Sequence, residues 1–341
     1  MASHRRPKQP NRARVSFLTA AAAAAVALSS QAAVAAPAKP GKDEVKAKVD
    51  ALYEEAEKAT EKFNGAKEQQ EKLEKQIGQL QDQVARGQGE LNELRNTLGS
   101  MASAQYRTGG IDPSLALFLS SDPEDYLDQA AALDQLSGQQ VEAVQKIQAK
   151  QRTLAQQRQE AAGKLKDLDA TRKELGDKKQ TIQGKLAEAQ KLLNTLTAQE
   201  RAQLKDEDTR ASRDDSARAN LGSVKASGRA GAALAAAKTK LGSAYISGHE
   251  GPNSFDCSGL TQWAYKQAGV GITRTTWTQA KEGTRIPISQ LQPGDLVFFY
   301  SDLHHVGLYA GNGMTLHASN PRGGVKYEKI SYMEPQFGVR I

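Results

Sequence analysis

Asn253-Ser-Phe-Asp-Cys-Ser-Gly-Leu260, "NSFDCSGL", holds the only cysteine in 341 residues. The stretch changes character in its middle. Before it, "GSAYISGHEGPNSF" is rich in turn residues. After it, Ser258 to Ala268 sets Leu260, Trp263, Ala264 and Ala268 on one apolar stripe, closed by Gly269. That spacing predicts a helix. Asp256 is placed to cap it, so Cys257 opens it. A thiol there meets free backbone N–H groups and the positive end of the helix dipole, and both favour the thiolate. A lone cysteine in an exported chain is a link to another chain, an inert buried thiol or a reactive one. The helix-start position favours the reactive reading.

Export is read from the N-terminus. Arg5, Arg6, Lys8, Arg12 and Arg14 precede an uncharged run from Val15 to Leu28, and Ala33-Val-Ala35 or Val34-Ala-Ala36 fits a cleavage site. Residues 1–36 therefore read as a secretory signal. The apolar run is shorter than the roughly 20 residues of a membrane span. The formal charge of +7 belongs largely to this segment: taking its five Lys/Arg from 46 leaves 41 bases against 39 acids. No clustered basic-aromatic platform remains, which argues against a nucleic-acid partner.

The remainder has two parts. From Val45 to Met101, steps of four and three meet apolar residues except at Gln70 and Gly87. A second, less pure seam runs from Leu154 to Leu196, broken by Arg158, Arg172 and Lys179. These are coiled-coil heptads, the first long enough for a helix of roughly 85 Å. Two seams of similar length predict an antiparallel hairpin over residues 42–204, with a parallel dimer as the rival. Between them, Leu115-Ala-Leu-Phe-Leu119 is an apolar run at the tip, which either folds back or docks a partner. Residues 205–229 mix charge with Ser, Ala and Gly and read as a mobile linker; continuation of the helix is the alternative.

Residues 230–341 predict a compact α+β domain. Ala230 to Leu241 is a helix, and the strands are Leu296–Tyr300, His304–Tyr309, Met314–Ala318, Val325–Ile330 and Phe337–Ile341. Asn312-Gly313 is a hairpin turn. Taken as an ideal two-residue turn, it puts His305 and His317 on opposite faces of the pair. A bulge would return them to one face. His304 and His305 point opposite ways, so only one of them can face Cys257. No ligand spacing supports a zinc site built from Cys257, His304, His305 and His317.

"DCSGL", "PGDLVFF" and "HHVGLYAGNGMTLHAS", in that order, resemble the NlpC family of bacterial cell-wall cysteine peptidases. The resemblance covers about a third of the chain. It implies a papain-like fold, Cys257 as nucleophile, His305 as base and His317 as the polar residue that orients it. Tyr245, in a loop where Ala244 stands at a common proline position, would lie near the oxyanion or substrate backbone. Asp256, Ser258 and Arg274 would be substrate-side residues. No cofactor is implied. The substrate would be peptidoglycan stem peptides, cut at the γ-D-glutamyl–diaminopimelate bond. The coiled coil resembles those of exported Gram-positive cell-separation hydrolases, some of which mask their own site and dock a membrane complex of the FtsEX type. A cell-wall amidase on the same fold, or a non-catalytic activator of other hydrolases, are the alternatives.

Overall fold

The computed structural model describes residues 40–107, 115, 118, 119, 123–220 and 228–341. Residues 1–36, read above as a secretory signal, lie outside them. Among the described residues no helix is long and apolar enough to cross a membrane.

The heptads form two long helices, α1 (Lys42–Arg107) and α2 (Pro123–Asn194). Their pairing is antiparallel, because cross-links descend along α2 as they climb α1: Lys185 with Glu55, Arg172 with Glu74, Lys164 with Gln76, and Lys150 with Glu90. Val45, Val49, Leu52, Leu73, Ile77, Leu80 and Leu91 bury the predicted seam against Leu154, Leu168, Ile182, Ala189 and Leu196. The two irregular positions of the first seam differ. Gln70 is half-buried and reaches Glu74. Gly87 leaves room for Leu154, whose Cδ2 would lie 2.7 Å from an added Cβ. At the tip Leu115, Phe118 and Leu119 are exposed, so these residues do not fold back onto the hairpin.

The stretch read as a mobile linker is helical through Asn220, as the end of α3 (Ala198–Asn220). Its start is a capping box: the Glu200 N–H donates to Thr197 Oγ1, and Glu200 Oε2 accepts from the Thr197 N–H at 2.7 Å. Tertiary contacts then hold the helix in place. Ala219 joins the core of the C-terminal part, and Asp208 pairs with Arg322.

That part contains α4 (Gly228–Lys238), β1 (Ala244–Tyr245), β2 (Ser254–Phe255), α5 (Cys257–Gln267), α6 (Thr276–Gln279), β3 (Thr284–Ile286), β4 (Leu296–Phe299), β5 (His305–Gly311), β6 (Met314–Ala318), β7 (Val325–Lys329) and β8 (Pro335–Arg340). A six-stranded sheet runs β3-β8-β4-β5-β6-β7, antiparallel throughout. β3 in this sheet, and the short β1 and β2 outside it, are strands the sequence did not suggest. Leu234, Leu260 and Ala264 of α4 and α5 pack on Leu296, Phe298, Val306, Leu308 and Leu316 of one sheet face. Val297 and Phe299 fill a smaller cluster with Met333 on the other. Helices on one face of an antiparallel sheet are the expected α+β arrangement.

Candidate active site

Asp256 caps α5 as predicted: its Oδ1 accepts from the Gly259 N–H at 2.7 Å. Cys257 therefore begins the helix, and it is fully buried. The sheet supplies the histidines. Asn312-Gly313 forms the two-residue turn between Gly311 and Met314. The register then slips between Tyr309 and Gly311, so that Tyr309 faces Thr315 and Leu308 faces Leu316. This bulge, with Gly311 at a φ of 92°, turns His305 and His317 to the same face. His305 Nε2 lies 2.6 Å from His317 Nδ1. Gly307 makes the approach possible: an added Cβ would lie 2.4 Å from Thr315 Oγ1 and 3.0 Å from His317 Cβ.

The donor atoms of Cys257 and His305 fall within 4.8 Å of one another. His304 faces away, stacks on Tyr300 at 4.4 Å and bonds Asp302. His317 Nε2 is 3.0 Å from Glu328 Oε2, close to it but short of an aligned hydrogen bond. Burial and the neighbouring charge on His305 lower the His317 pKa to about 4, against the pull of Glu328. Burial would raise Glu328, yet His317 and Lys326 hold it down at about 2. A neutral His317 with its proton on Nε2 can accept a proton bond from His305 Nε2–H. That leaves His305 Nδ1 for the cleft. Glu328, two residues beyond Lys326 in β7, is a site residue the sequence reading did not single out.

The cleft itself is filled by α1. Glu57 Oε1 lies 2.5 Å from His305 Nδ1. Glu61 Oε1 accepts from Ser258 Oγ at 2.6 Å, and its Oε2 from the Thr276 N–H at 2.8 Å. Asn64 Nδ2 donates to Asp256 Oδ2 at 3.0 Å. All three side chains are buried. They lie on one face of α1, at a spacing of three and four. In sequence this face looks like a solvated polar stripe. Its one irregularity is Asn64-Gly65, a pair of weak helix formers inside a long helix.

The carboxylates reverse the expected chemistry of the thiol. Burial first, and then Glu57, Glu61 and Asp256, push Cys257 well above the ordinary thiol range. The positive end of α5 does not overcome three negative neighbours. Burial works against charge on His305, but Glu57 outweighs it and raises the imidazole pKa. Glu61 is driven up to about 7 by burial and by Asp256.

The remaining predicted residues gather around this centre. Arg274 is buried and binds Asp256 Oδ2 at 2.6 Å and Ser258 Oγ at 2.7 Å. Tyr245 is buried in the same core cluster as Cys257, and its hydroxyl has no partner among the described residues. Among those residues, Glu57, Cys257 and His305 form the one trio of metal-ligating type. It differs from the histidine-rich set considered from sequence, and its carboxylate is already bound to His305.

Residues 242–339 match the model of the NlpC/P60 family. These residues form an NlpC/P60 domain. The domain is similar to a "Probable endopeptidase" of Corynebacterium glutamicum, 49% identical over 106 residues, which are 31% of this chain and 51% of that protein. It is also similar to the "Probable endopeptidase p60" of Listeria monocytogenes, 46% identical over 99 residues, 28% of this chain and 20% of that protein. Among solved structures, the NlpC/p60 domain of the peptidoglycan hydrolase SagA is 36% identical; the match covers 33% of this chain and 98% of that one, with a TM-score of 0.32. The chain thus spans about half or less of these curated relatives' length.

Proposed function

We propose that this protein is a secreted peptidoglycan hydrolase, latent as folded, that cuts stem peptides at the γ-D-glutamyl–diaminopimelate bond during wall remodelling or daughter-cell separation. The observation that carries the reading is the helix-start Cys257 within reach of a His305 that is itself bonded to His317.

In the open form the Cys257 thiol passes its proton to His305, and the thiolate attacks the scissile carbonyl. The N–H groups at the start of α5 and the Tyr245 hydroxyl receive the oxyanion. His305 returns the proton to the leaving amine, leaving a thioester on Cys257. It then takes a proton from water, whose hydroxide releases the acid and frees the thiol. His317, backed by Glu328, keeps His305 in the tautomer that presents Nδ1. Ser258, Arg274 and Asp256 bind the acyl half of the stem peptide. As long as Glu57 and Glu61 sit in the cleft, the thiol stays protonated and the substrate is excluded. α1 must therefore withdraw. The exposed Leu115, Phe118 and Leu119 at the hairpin tip suit a membrane complex of the FtsEX type as the agent that withdraws it.

The full chain carrying Glu57→Ala and Glu61→Ala, and the same chain with Cys257→Ala added, each incubated with a stem tetrapeptide and followed by mass spectrometry, test the reading. Release of the diaminopimelate-containing fragment by the first alone supports it. Release of a different fragment, or equal release by both, refutes it.

A further inference from the structure

The Cys–His pair gives the cleft a direction. Cys257 holds the acyl half of the substrate, and His305 protonates the amine that leaves. The amine-bearing half therefore extends on the far side of His305. On that side lies a cavity of about 480 Å³ between α1, at Asp50 and Glu54, and the domain residues His305, Arg322, Lys326 and Glu328.

α1 crosses the whole cleft and meets it with acids in order. Glu61 lies at Ser258 and Thr276, Glu57 at His305, and Asp50 at Arg322. Arg322 stands in the loop between β6 and β7, its side chain only 16% exposed. Its Nη2 donates to Asp50 Oδ1 at 2.9 Å and its Nε to Asp208 Oδ2 at 2.6 Å. Its Nη1 has no partner among the described residues. Both acids come from the helical part, on α1 and α3; neither belongs to the NlpC/P60 domain. Lys326 differs, since Glu328 of its own strand is 3.1 Å away. Withdrawal of α1 takes Asp50 away and leaves both Nη atoms of Arg322 without a partner on the amine side of the cleft, while Nε stays on Asp208 of α3. Such a fork is built to bind a carboxylate.

We propose that Arg322 is a specificity residue of the amine side, binding a free carboxylate on the residue that supplies the leaving amine. In the closed chain Asp50 stands in for that carboxylate. The inference rests on the peptidase reading above and adds a substrate class to it: a diamino acid whose distal carboxyl is free rather than amidated. If Arg322 is only a latch for the helices, it will not distinguish the two.

The test uses the full chain carrying Glu57→Ala and Glu61→Ala to favour the open form, with Arg322, Arg322→Gln or Arg322→Lys. Two stem tetrapeptides serve as probes, with the distal diaminopimelate carboxyl free or as the carboxamide. The readout is the ratio of kcat/KM for acid over amide. The fraction of open enzyme cancels from this ratio, and retained cleavage of the amide reports intact folding. The expected ratio is roughly tenfold or more with Arg322, close to one with Arg322→Gln, and intermediate with Arg322→Lys. A ratio near one with Arg322 in place, or one unchanged by substitution, overturns the proposal. Cleavage of neither peptide, while Cys257 alkylates freely, instead overturns the peptidase reading and the proposal with it.

Discussion

Glu57 of α1 and His305 of β5 are 248 residues apart in the chain, and their side chains meet at 2.5 Å. The contact couples the coiled coil to the chemistry of the NlpC/P60 domain. A carboxylate at that nitrogen favours the charged imidazole and occupies the atom that would take the Cys257 proton. Three acids around one thiol then make the thiolate costly.

Closure takes up protons, so pH should govern it. Glu61 rises from 4.5 to about 7 in the closed chain, His305 rises above 6.5, and Cys257 rises well above 9. Each raised group stabilises the closed form below its free pKa, and that stabilisation is lost as pH climbs through the raised value. The three therefore act with one sign. Glu61 weakens closure between about pH 4.5 and 7, and His305 extends the loss above pH 6.5. In chelator-containing buffer, Cys257 of the full chain should alkylate faster from pH 5 to 8 by more than its own thiolate fraction explains. Glu61→Gln should flatten the lower part of that rise. A wild-type profile that follows simple thiol titration would count against this coupling.

His317 and Glu328 position His305 and do not touch the reacting bond. In an opened chain, His317→Ala should lower kcat on the order of 10²-fold with little change in KM. His317→Asn, which keeps an amide near the ring, should recover part of the loss. Glu328→Gln should cost less and shift the pH–rate profile. A His317→Ala enzyme altered only in KM would assign this residue to substrate binding.

Much of this site was legible in the sequence. The cap at Asp256, the thiol at a helix start and the Asn312-Gly313 turn are local chemistry, and local chemistry survives folding. The bulge was visible only as a conflict: an ideal hairpin separated two histidines that had to meet. Gly311 resolves it. The start of α3 could have been read from the Thr197–Glu200 capping box. Glu57 and Glu61 were not legible, because an acidic stripe on a coiled coil is nearly always a solvated face. Only the tertiary contact shows that it is buried. Arg322 was hidden for the same reason, as a loop cation whose acids lie on distant helices.

Gly307 gives a structural test of the hairpin geometry. Gly307→Ala would set a methyl 2.4 Å from Thr315 Oγ1 and 3.0 Å from His317 Cβ. Pushing β5 and β6 apart should destabilise the domain by about 1–3 kcal/mol. Thermal melts should report the loss, and the opened chain should also lose activity as His317 moves off His305. Unchanged stability together with unchanged activity would mean that the strands do not approach this closely.

The central claim is that α1 holds a competent Cys–His site shut. It is tested most directly by the rate at which the full chain cleaves a stem tetrapeptide, measured beside the Glu57→Ala, Glu61→Ala double variant and that variant with Cys257→Ala. Removing two buried acid contacts should raise the rate by roughly tenfold or more, and Cys257→Ala should abolish it. Equal rates for the full chain and the double variant, or cleavage that survives Cys257→Ala, would contradict the account.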